Sequence, residues 1–149
     1  GITTDTLECT VNWSNMEQVH ADVRKICHAL PNTVVTTHMS HCYPQAELYF
    51  IFLTRMQDEN AFKAYHTTIL DAIQRSGAAV ATTSIGKMVS RWLEGYIGEK
   101  EYGVFRVLND YFDPDYNMTP GGTIGLDLKP EEKKFLRDYT DYLEQPKFD

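Results

Sequence analysis

The chain has 149 residues, a hydrophobic content of 42% and a formal net charge of −7 at pH 7. These values indicate one globular domain over residues 1–149 with a sizeable core, and no basic face is evident that could neutralise a nucleic-acid backbone, so we expect no nucleic-acid partner. No apolar run approaches the roughly 20 residues that span a bilayer, so we expect no membrane span. The 3 cysteines are widely spaced and fit neither a disulfide framework nor a zinc site. We therefore expect a reducing, cytoplasmic setting.

The first elements alternate between strand and helix patterns. Apolar residues at every second position from Leu7 to Trp13 indicate a half-buried strand. Ser14, followed three residues later by Glu17, predicts a helix that begins with a capping box and ends before Pro31.

Two further strand patterns come next, separated by a turn at Pro44-Gln45. Thr33–Tyr43 is rich in β-branched residues, and Glu47–Thr54 is apolar on both faces, which is typical of a central strand. Asp58 is placed to cap a second helix that ends at Ser76-Gly77, and a short fourth strand pattern follows. The order βαββαβ predicts an α+β domain with a ferredoxin-like antiparallel sheet and helices packed on one face.

The last part of the chain adds helices to this plan. The fourth strand is predicted over Ala78–Thr83, and the periodic segments Gly86–Tyr96 and Glu99–Phe112 predict two helices. Asp113-Pro114 breaks the second of them. Pro130 suits the first position of a final helix that runs to about residue 143.

Two histidines lie close together in the second strand pattern. His38 and His41 are three residues apart, so in a strand their side chains would point to opposite faces and could not readily share a metal. We therefore expect no metal site. Either histidine could serve as a proton shuttle or an anion contact, since histidine titrates near neutrality, or both could be ordinary sheet residues.

Two tyrosines and one short loop leave similar alternatives open. Tyr43 and Tyr49 could pack their rings like most strand tyrosines, or one could act as a general acid or base. Ser84-Ile85-Gly86-Lys87, at a strand-to-helix junction, could bind an anion through backbone N–H groups. A simple helix start explains the same residues, and their spacing is not that of a P-loop.

Taken together, four segments in order resemble the C-terminal domain of FAD-linked oxidases. This is the vanillyl-alcohol oxidase superfamily, and the likeness is greatest to its alkyldihydroxyacetonephosphate synthase branch. The resemblance covers about Asp5 to Asp127. The segments that carry it are His38-x-Ser40-His41-x-Tyr43-Pro44, Leu48-Tyr49-Phe50, Gly86-Lys87…Trp92-Leu93 and Asp113-Pro114…Thr119-Pro120-Gly121.

The resemblance implies that the chain is the cap, or substrate, domain of an FAD-dependent oxidoreductase. In that family the cap packs on an FAD-binding domain of the same polypeptide, which we expect to lie outside this chain and to hold most of the FAD. Family members act on small molecules such as 2-hydroxy acids, so we expect a small, hydroxylated, anionic substrate. Alone, this chain should be inactive, and its flavin-facing surface should be free to form a homodimer.

The resemblance also implies roles for particular residues. Tyr49 takes the place of the acid/base tyrosine of the synthase branch. Thr119 takes the place of the asparagine in the closing segment and is implied to bind the cofactor. The residues implied to bind substrate are His38, Ser40, His41, Tyr43, Thr82, Thr83 and Lys87.

The chain also departs from the family pattern. Where the family has three histidines and a glycine, this sequence reads Ala81-Thr82-Thr83-Ser84, and threonine cannot replace the ionisation of histidine. The arginine expected after Gly86-Lys87 is replaced by Met88-Val89-Ser90. A second hypothesis is therefore a catalytically degenerate binding or assembly module derived from the same family.

Overall fold

The described part of the chain is built around a three-stranded antiparallel sheet. The computed structural model describes residues 1–80 and 86–118. The strands are β1 (Thr3–Asn12), β2 (Val34–Ser40) and β3 (Gln45–Thr54), in the order β1-β3-β2. The central position of β3 confirms the prediction from its apolar residues, because a central strand meets packed side chains on its core face and neighbouring strands along both edges.

Within residues 1–80 and 86–118, four α-helices accompany the sheet, and those next to it cover a single face. They are α1 (Met16–Ala29), α2 (Glu59–Arg75), α3 (Gly86–Ile97) and α4 (Glu99–Phe112). The predicted α+β class, with an antiparallel sheet and helices packed against it, is confirmed. None of the helices in the described ranges is long and apolar enough to cross a membrane.

The core lies between the sheet and the first two helices. Alternate residues of β1 and β3 point into it, because successive side chains of a strand alternate between the two faces. They pack against apolar side chains that recur at helical spacing on α1 and α2. The core includes Leu7, Cys9, Val11, Val19, Val23, Cys27, Leu48, Phe50, Phe52, Tyr65, Ile69 and Ile73.

The start of α1 corrects the predicted capping box. A short 3₁₀ turn over Trp13–Asn15 precedes the helix and moves the N-cap from Ser14 to Asn15, which makes no side-chain capping bond. The hydroxyl of Ser14 instead donates to the side-chain oxygen of Asn15 at 3.1 Å. The cap of α2 is as predicted, since Asp58 accepts a 2.7 Å hydrogen bond from the backbone N–H of Ala61.

The second strand is shorter than predicted. It ends at Ser40 rather than Tyr43, because His41 adopts a left-handed backbone conformation with φ of 51°. Such a value takes the chain out of the extended region and starts the turn. Strand β3 then begins at Gln45, two residues before the predicted start.

The fourth strand is represented by a single bridge in the described residues. Ala79 pairs with Thr10 through reciprocal backbone hydrogen bonds of 2.9 and 3.0 Å, on the outer side of β1. Residues 81–85 lie outside the described part, so the ferredoxin-like arrangement stays a prediction. The bounds of α4 match the predicted ones and α3 is one residue longer. The final helix predicted from Pro130 falls outside the described residues.

Candidate functional site

The face of the sheet opposite the core carries polar side chains near the centre of β3. Glu47 and Tyr49 share this face because they are two residues apart in one strand. The register places Glu8 of β1 and His38 of β2 on either side of Tyr49, and Ser40 of β2 next to Glu47. We call these residues the polar patch. It lies on the face opposite α1 and α2, which the described helices leave uncovered, and we refer to this face as the open face of the sheet.

A hydrogen bond joins the two members of the patch that belong to β3. The phenolic hydroxyl of Tyr49 donates to Oε2 of Glu47 at 3.0 Å. Both side chains are half-buried, so the bond is partly shielded from water. The carboxylate therefore fixes the orientation of the phenolic hydroxyl on the open face of the sheet.

His41 joins the same group from the turn after β2. Its Nδ1 lies 2.9 Å from Oε2 of Glu47 and 2.8 Å from Oγ of Ser40. The side chain of His41 is 57% exposed and that of Glu47 is 23% exposed. The prediction that His38 and His41 point to opposite faces was wrong, because the strand ends before His41 and its positive φ directs the ring to Glu47.

His38 lies beside Tyr49 on the other edge of the patch. The centroids of the two rings are 5.7 Å apart and their planes are tilted by 32°. This cross-strand pair follows from the register, in which His38 is the direct partner of Tyr49. The imidazole of His38 is exposed, so it can contact a ligand that approaches Tyr49.

The surroundings of Tyr49 keep its hydroxyl protonated. The hydrogen bond to the Glu47 carboxylate raises the pKa of Tyr49, and loss of solvation and the negative charges of Glu47 and Glu8 act in the same direction. A hydrogen bond from Ser40 lowers the pKa and opposes these effects only in part. Tyr49 is thus a neutral phenol, able to donate a proton, and it is a poor base unless it passes on its own proton.

Tyr43 is placed differently from the other predicted residues of this segment. Its side chain is 72% exposed. Its backbone N–H lies 3.0 Å from the carbonyl of His41 and 2.9 Å from that of Gln45, and its carbonyl accepts a 3.1 Å bond from the indole of Trp13. The contacts of Tyr43 therefore shape the turn, and the structure does not bring its ring into the polar patch.

Four of the predicted site residues cannot be related to the patch. Thr82, Thr83 and Thr119 lie outside the described residues, as does the whole Ala81–Ser84 segment. Lys87 lies in the first turn of α3, and its side chain is outside the described part. Their roles stay predictions.

Glu47 is the residue that the sequence reasoning missed. The signal was present, since it is the one acidic residue of a strand that is otherwise mostly apolar, and it stands two positions before Tyr49. In a strand that spacing places both side chains on one face. This spacing alone therefore places the carboxylate of Glu47 beside the candidate acid/base residue Tyr49.

The polar patch combines a phenol, imidazoles and carboxylates on one face of the sheet. Within residues 1–80 and 86–118, no group of three or more His, Cys, Asp or Glu side chains is arranged to hold a metal ion. The three strands contain no lysine or arginine, so His38 is their only basic side chain. A phenol and imidazoles are side chains that can hold and move protons.

Comparisons with known proteins agree with one another. The sequence profile of the family described as FAD linked oxidases, C-terminal domain, matches residues 1–123. A solved structure of alkyldihydroxyacetonephosphate synthase superposes with a TM-score of 0.51 over 76% of this chain, at 21% sequence identity. At that identity the likeness shows the fold alone. This chain spans 19% of the length of the solved one, and no curated protein matches it.

Proposed function

Because the chain belongs to the family of C-terminal domains of FAD linked oxidases, we propose that it is the substrate-side domain of an FAD-dependent oxidoreductase. The observation that carries the proposal is the hydrogen-bonded group formed by Tyr49, Glu47 and His41 on the open face of the sheet. A group of this kind can hold and move a proton, which is what the oxidation of a hydroxyl group requires of the protein.

Tyr49 is the proposed acid/base residue. When bound, FAD supplies the acceptor for the hydride that leaves the substrate carbon. The substrate hydroxyl must lose its proton in the same reaction, and Tyr49 lies at the centre of the patch with its hydroxyl oriented by Glu47. His38, which lies beside the Tyr49 ring, is placed to orient the substrate.

We propose a small hydroxylated substrate, with a 2-hydroxy acid as the first class to test. An anionic substrate needs a positive charge close to the polar patch, and the three strands supply no lysine or arginine. The histidines of this segment, His38 and His41, could supply that charge when they are protonated. Lys87 is the further cation that the family resemblance offers.

The remainder of the same polypeptide is the proposed partner, including an FAD-binding domain that holds most of the cofactor. Two observations support this. The chain spans 19% of the solved structure that it resembles, and α4 exposes a run of large apolar side chains of the kind that mark an interface. In the isolated chain the same surface would support a homodimer. The exposed side chains are Val104, Phe105, Val107, Leu108, Tyr111 and Phe112.

A cytoplasmic location is proposed as well. The three cysteines are all free: Cys9 and Cys27 are buried and Cys42 is exposed. Free thiols persist in a reducing compartment, whereas secreted proteins generally use their cysteines in disulfides.

The alternative is a binding or assembly module that has lost the family's chemistry. Two observations favour it, namely the replacement of the family's histidines at Ala81–Ser84 and the exposed apolar surface of α4. Purification of the full-length protein separates the two functions. A yellow protein whose flavin is bleached by a hydroxylated substrate supports the oxidoreductase, and a complete protein that never binds FAD supports the module.

A further inference from the structure

Two hydrogen-bonding groups meet at one oxygen atom of Glu47. The hydroxyl of Tyr49 lies 3.0 Å from Oε2, and Nδ1 of His41 lies 2.9 Å from the same atom. A carboxylate oxygen only accepts, so both neighbours act as donors when Glu47 is ionised. The carboxylate is thus directly connected to the phenol on one side and to a half-exposed imidazole on the other.

Building on the oxidation proposed above, we propose that Glu47 is a positioning residue that takes up the phenolic proton of Tyr49 while Tyr49 receives the proton of the substrate hydroxyl. The O–H bond of the substrate breaks and a new O–H bond forms on Tyr49. The original O–H bond of Tyr49 breaks and one forms on Glu47. The electron pair of the broken substrate O–H bond would become the second bond of a C=O group, and the hydride would leave the substrate carbon with the C–H electron pair for the FAD of the intact protein, so the substrate would lose one hydride and one proton.

The need for a second base follows from the state of Tyr49. A neutral phenol can accept a proton only if it gives its own proton to another group at the same time. Oε2 of Glu47 accepts the hydrogen bond made by that proton, with 3.0 Å between the two oxygen atoms. The transfer therefore requires no movement of the backbone. The raised pKa of Tyr49 agrees with this arrangement, because the Glu47 bond is its largest cause.

His41 gives the proton a way out of the patch. Its imidazole contacts the same oxygen of Glu47 and is 57% exposed, whereas Glu47 itself is 23% exposed. Once His41 has exchanged with solvent to the tautomer that carries its proton on Nε2, Nδ1 can accept the proton from Glu47, and the proton on Nε2 is released to solvent. Ser40, 2.8 Å from Nδ1 of His41, holds the ring in place.

The titration of Tyr49 is the direct test, and it needs no flavin. The groups that face Tyr49 are Glu47 from its own strand, Glu8 from β1, and His38 and His41 from β2 and the turn after it. The chain is labelled with ¹³C at the tyrosine Cζ, and the pKa of Tyr49 is followed by NMR, with the signal assigned from a Tyr49→Phe variant.

Glu47→Gln should lower the pKa of Tyr49, because it removes the negative charge that holds the phenolic proton. Glu8→Gln is the matched control, since it removes a charge on the same face without breaking the Tyr49–Glu47 bond, and its shift should be smaller. Should Glu47→Gln fail to fold, Glu47→Asp withdraws the carboxylate from the hydroxyl and should also lower the pKa. An unchanged or raised pKa in the Glu47 variants, or an equal shift in Glu8→Gln, would overturn the proposal.

Turnover by the full-length protein distinguishes failure of the proposed role of Glu47 from failure of the proposed oxidoreductase function. Glu47→Gln should reduce the rate of substrate oxidation about 10²-fold, the lower end of the range for acid/base groups, and should change the pH profile of kcat. An active protein whose Glu47→Gln variant shows no change in the rate or the pH profile contradicts the role of Glu47 and leaves the oxidoreductase function standing. If the pKa shift appears but no hydroxylated substrate is oxidised, the function fails and the role of Glu47 fails with it.

Discussion

The phenolic oxygen of Tyr49 lies 3.0 Å from Oε2 of Glu47, on the face of β3 that the helices leave open. The same carboxylate oxygen lies 2.9 Å from Nδ1 of His41. These contacts join a central strand to the turn after an edge strand. The candidate site is therefore fixed by the sheet itself, and it depends little on the helices.

The three thiols should differ strongly in reactivity. Burial raises the pKa of the Cys9 thiol to about 12, and it also raises that of Cys27, whereas Cys42 is exposed. We expect a disulfide reagent to label only Cys42 in the native chain and all three cysteines after denaturation. A Cys42→Ser variant should show no rapid labelling. Rapid labelling of Cys9 or Cys27 in the native state would contradict the described core.

Burial of Cys9 also predicts how stability depends on pH. The folded thiol keeps its proton to about pH 12, while the unfolded thiol loses it near 9.0. Between these values the unfolded state binds fewer protons, so this residue's contribution to the free energy of unfolding falls as pH rises. In urea titrations across this pH window, the free energy of unfolding should fall more steeply with rising pH for the wild type than for Cys9→Ala. Equal slopes would show that Cys9 is not buried.

The two helix starts should respond differently to loss of their N-cap side chains. Asp58→Ala removes the bond to the backbone of Ala61 and should lower the free energy of unfolding by about 1 kcal/mol. Asn15→Ala is the control, since Asn15 makes no capping bond, and its effect should be smaller. Chemical denaturation of both variants measures the difference, and equal losses would contradict the assigned caps.

Side chains on the core face of the sheet should contribute more to the free energy of unfolding than the exposed side chains of α4. Phe52 is fully buried and packs edge-on against Tyr65, with ring centroids 5.5 Å apart. Phe52→Ala should cost about 3–5 kcal/mol, because it leaves a cavity that neighbouring side chains cannot fill. Phe105→Ala on α4, where the ring is 46% exposed, should change stability by no more than about 0.5 kcal/mol. Comparable losses in urea unfolding would place the core elsewhere.

The apolar surface of α4 predicts self-association of the isolated chain. Val107 is among its most exposed apolar residues, and Val107→Lys should shift sedimentation toward the monomer, because a buried charge opposes association. Lys100→Glu is the control, since it changes an exposed position on the same helix outside the apolar run. A wild-type chain that sediments as a monomer at high concentration would remove this surface as a self-association site.

Much of the fold was predictable because it depends on local patterns. The apolar residues of β3 predicted its central position, Asp58 predicted the start of α2, and helical spacing predicted the bounds of α4. The start of α1 was not predictable from Ser14 and Glu17. A capping box is a local pattern, but the 3₁₀ turn that displaces it belongs to the path of the chain leaving β1.

The candidate site was predictable only in part. Tyr49 and His38 were identified from sequence, and the register of the sheet brings them together. The orientation of the His41 side chain could not be predicted from sequence, because it depends on where β2 ends and on the positive φ of His41. Glu47 was missed because its importance comes from its contacts with Tyr49 and His41 rather than from a motif.

The most direct test of the proposed function is the rate at which substrate reduces the flavin of the full-length protein without oxygen. Stopped-flow measurements would compare the wild type with Tyr49→Phe, and with Tyr43→Phe as a control, because Tyr43 lies in solvent outside the patch. Tyr49→Phe should slow flavin reduction about 10²- to 10⁴-fold, the range for loss of an acid/base group, while Tyr43→Phe leaves the rate unchanged. Flavin reduction at the wild-type rate in Tyr49→Phe would contradict the assignment of Tyr49.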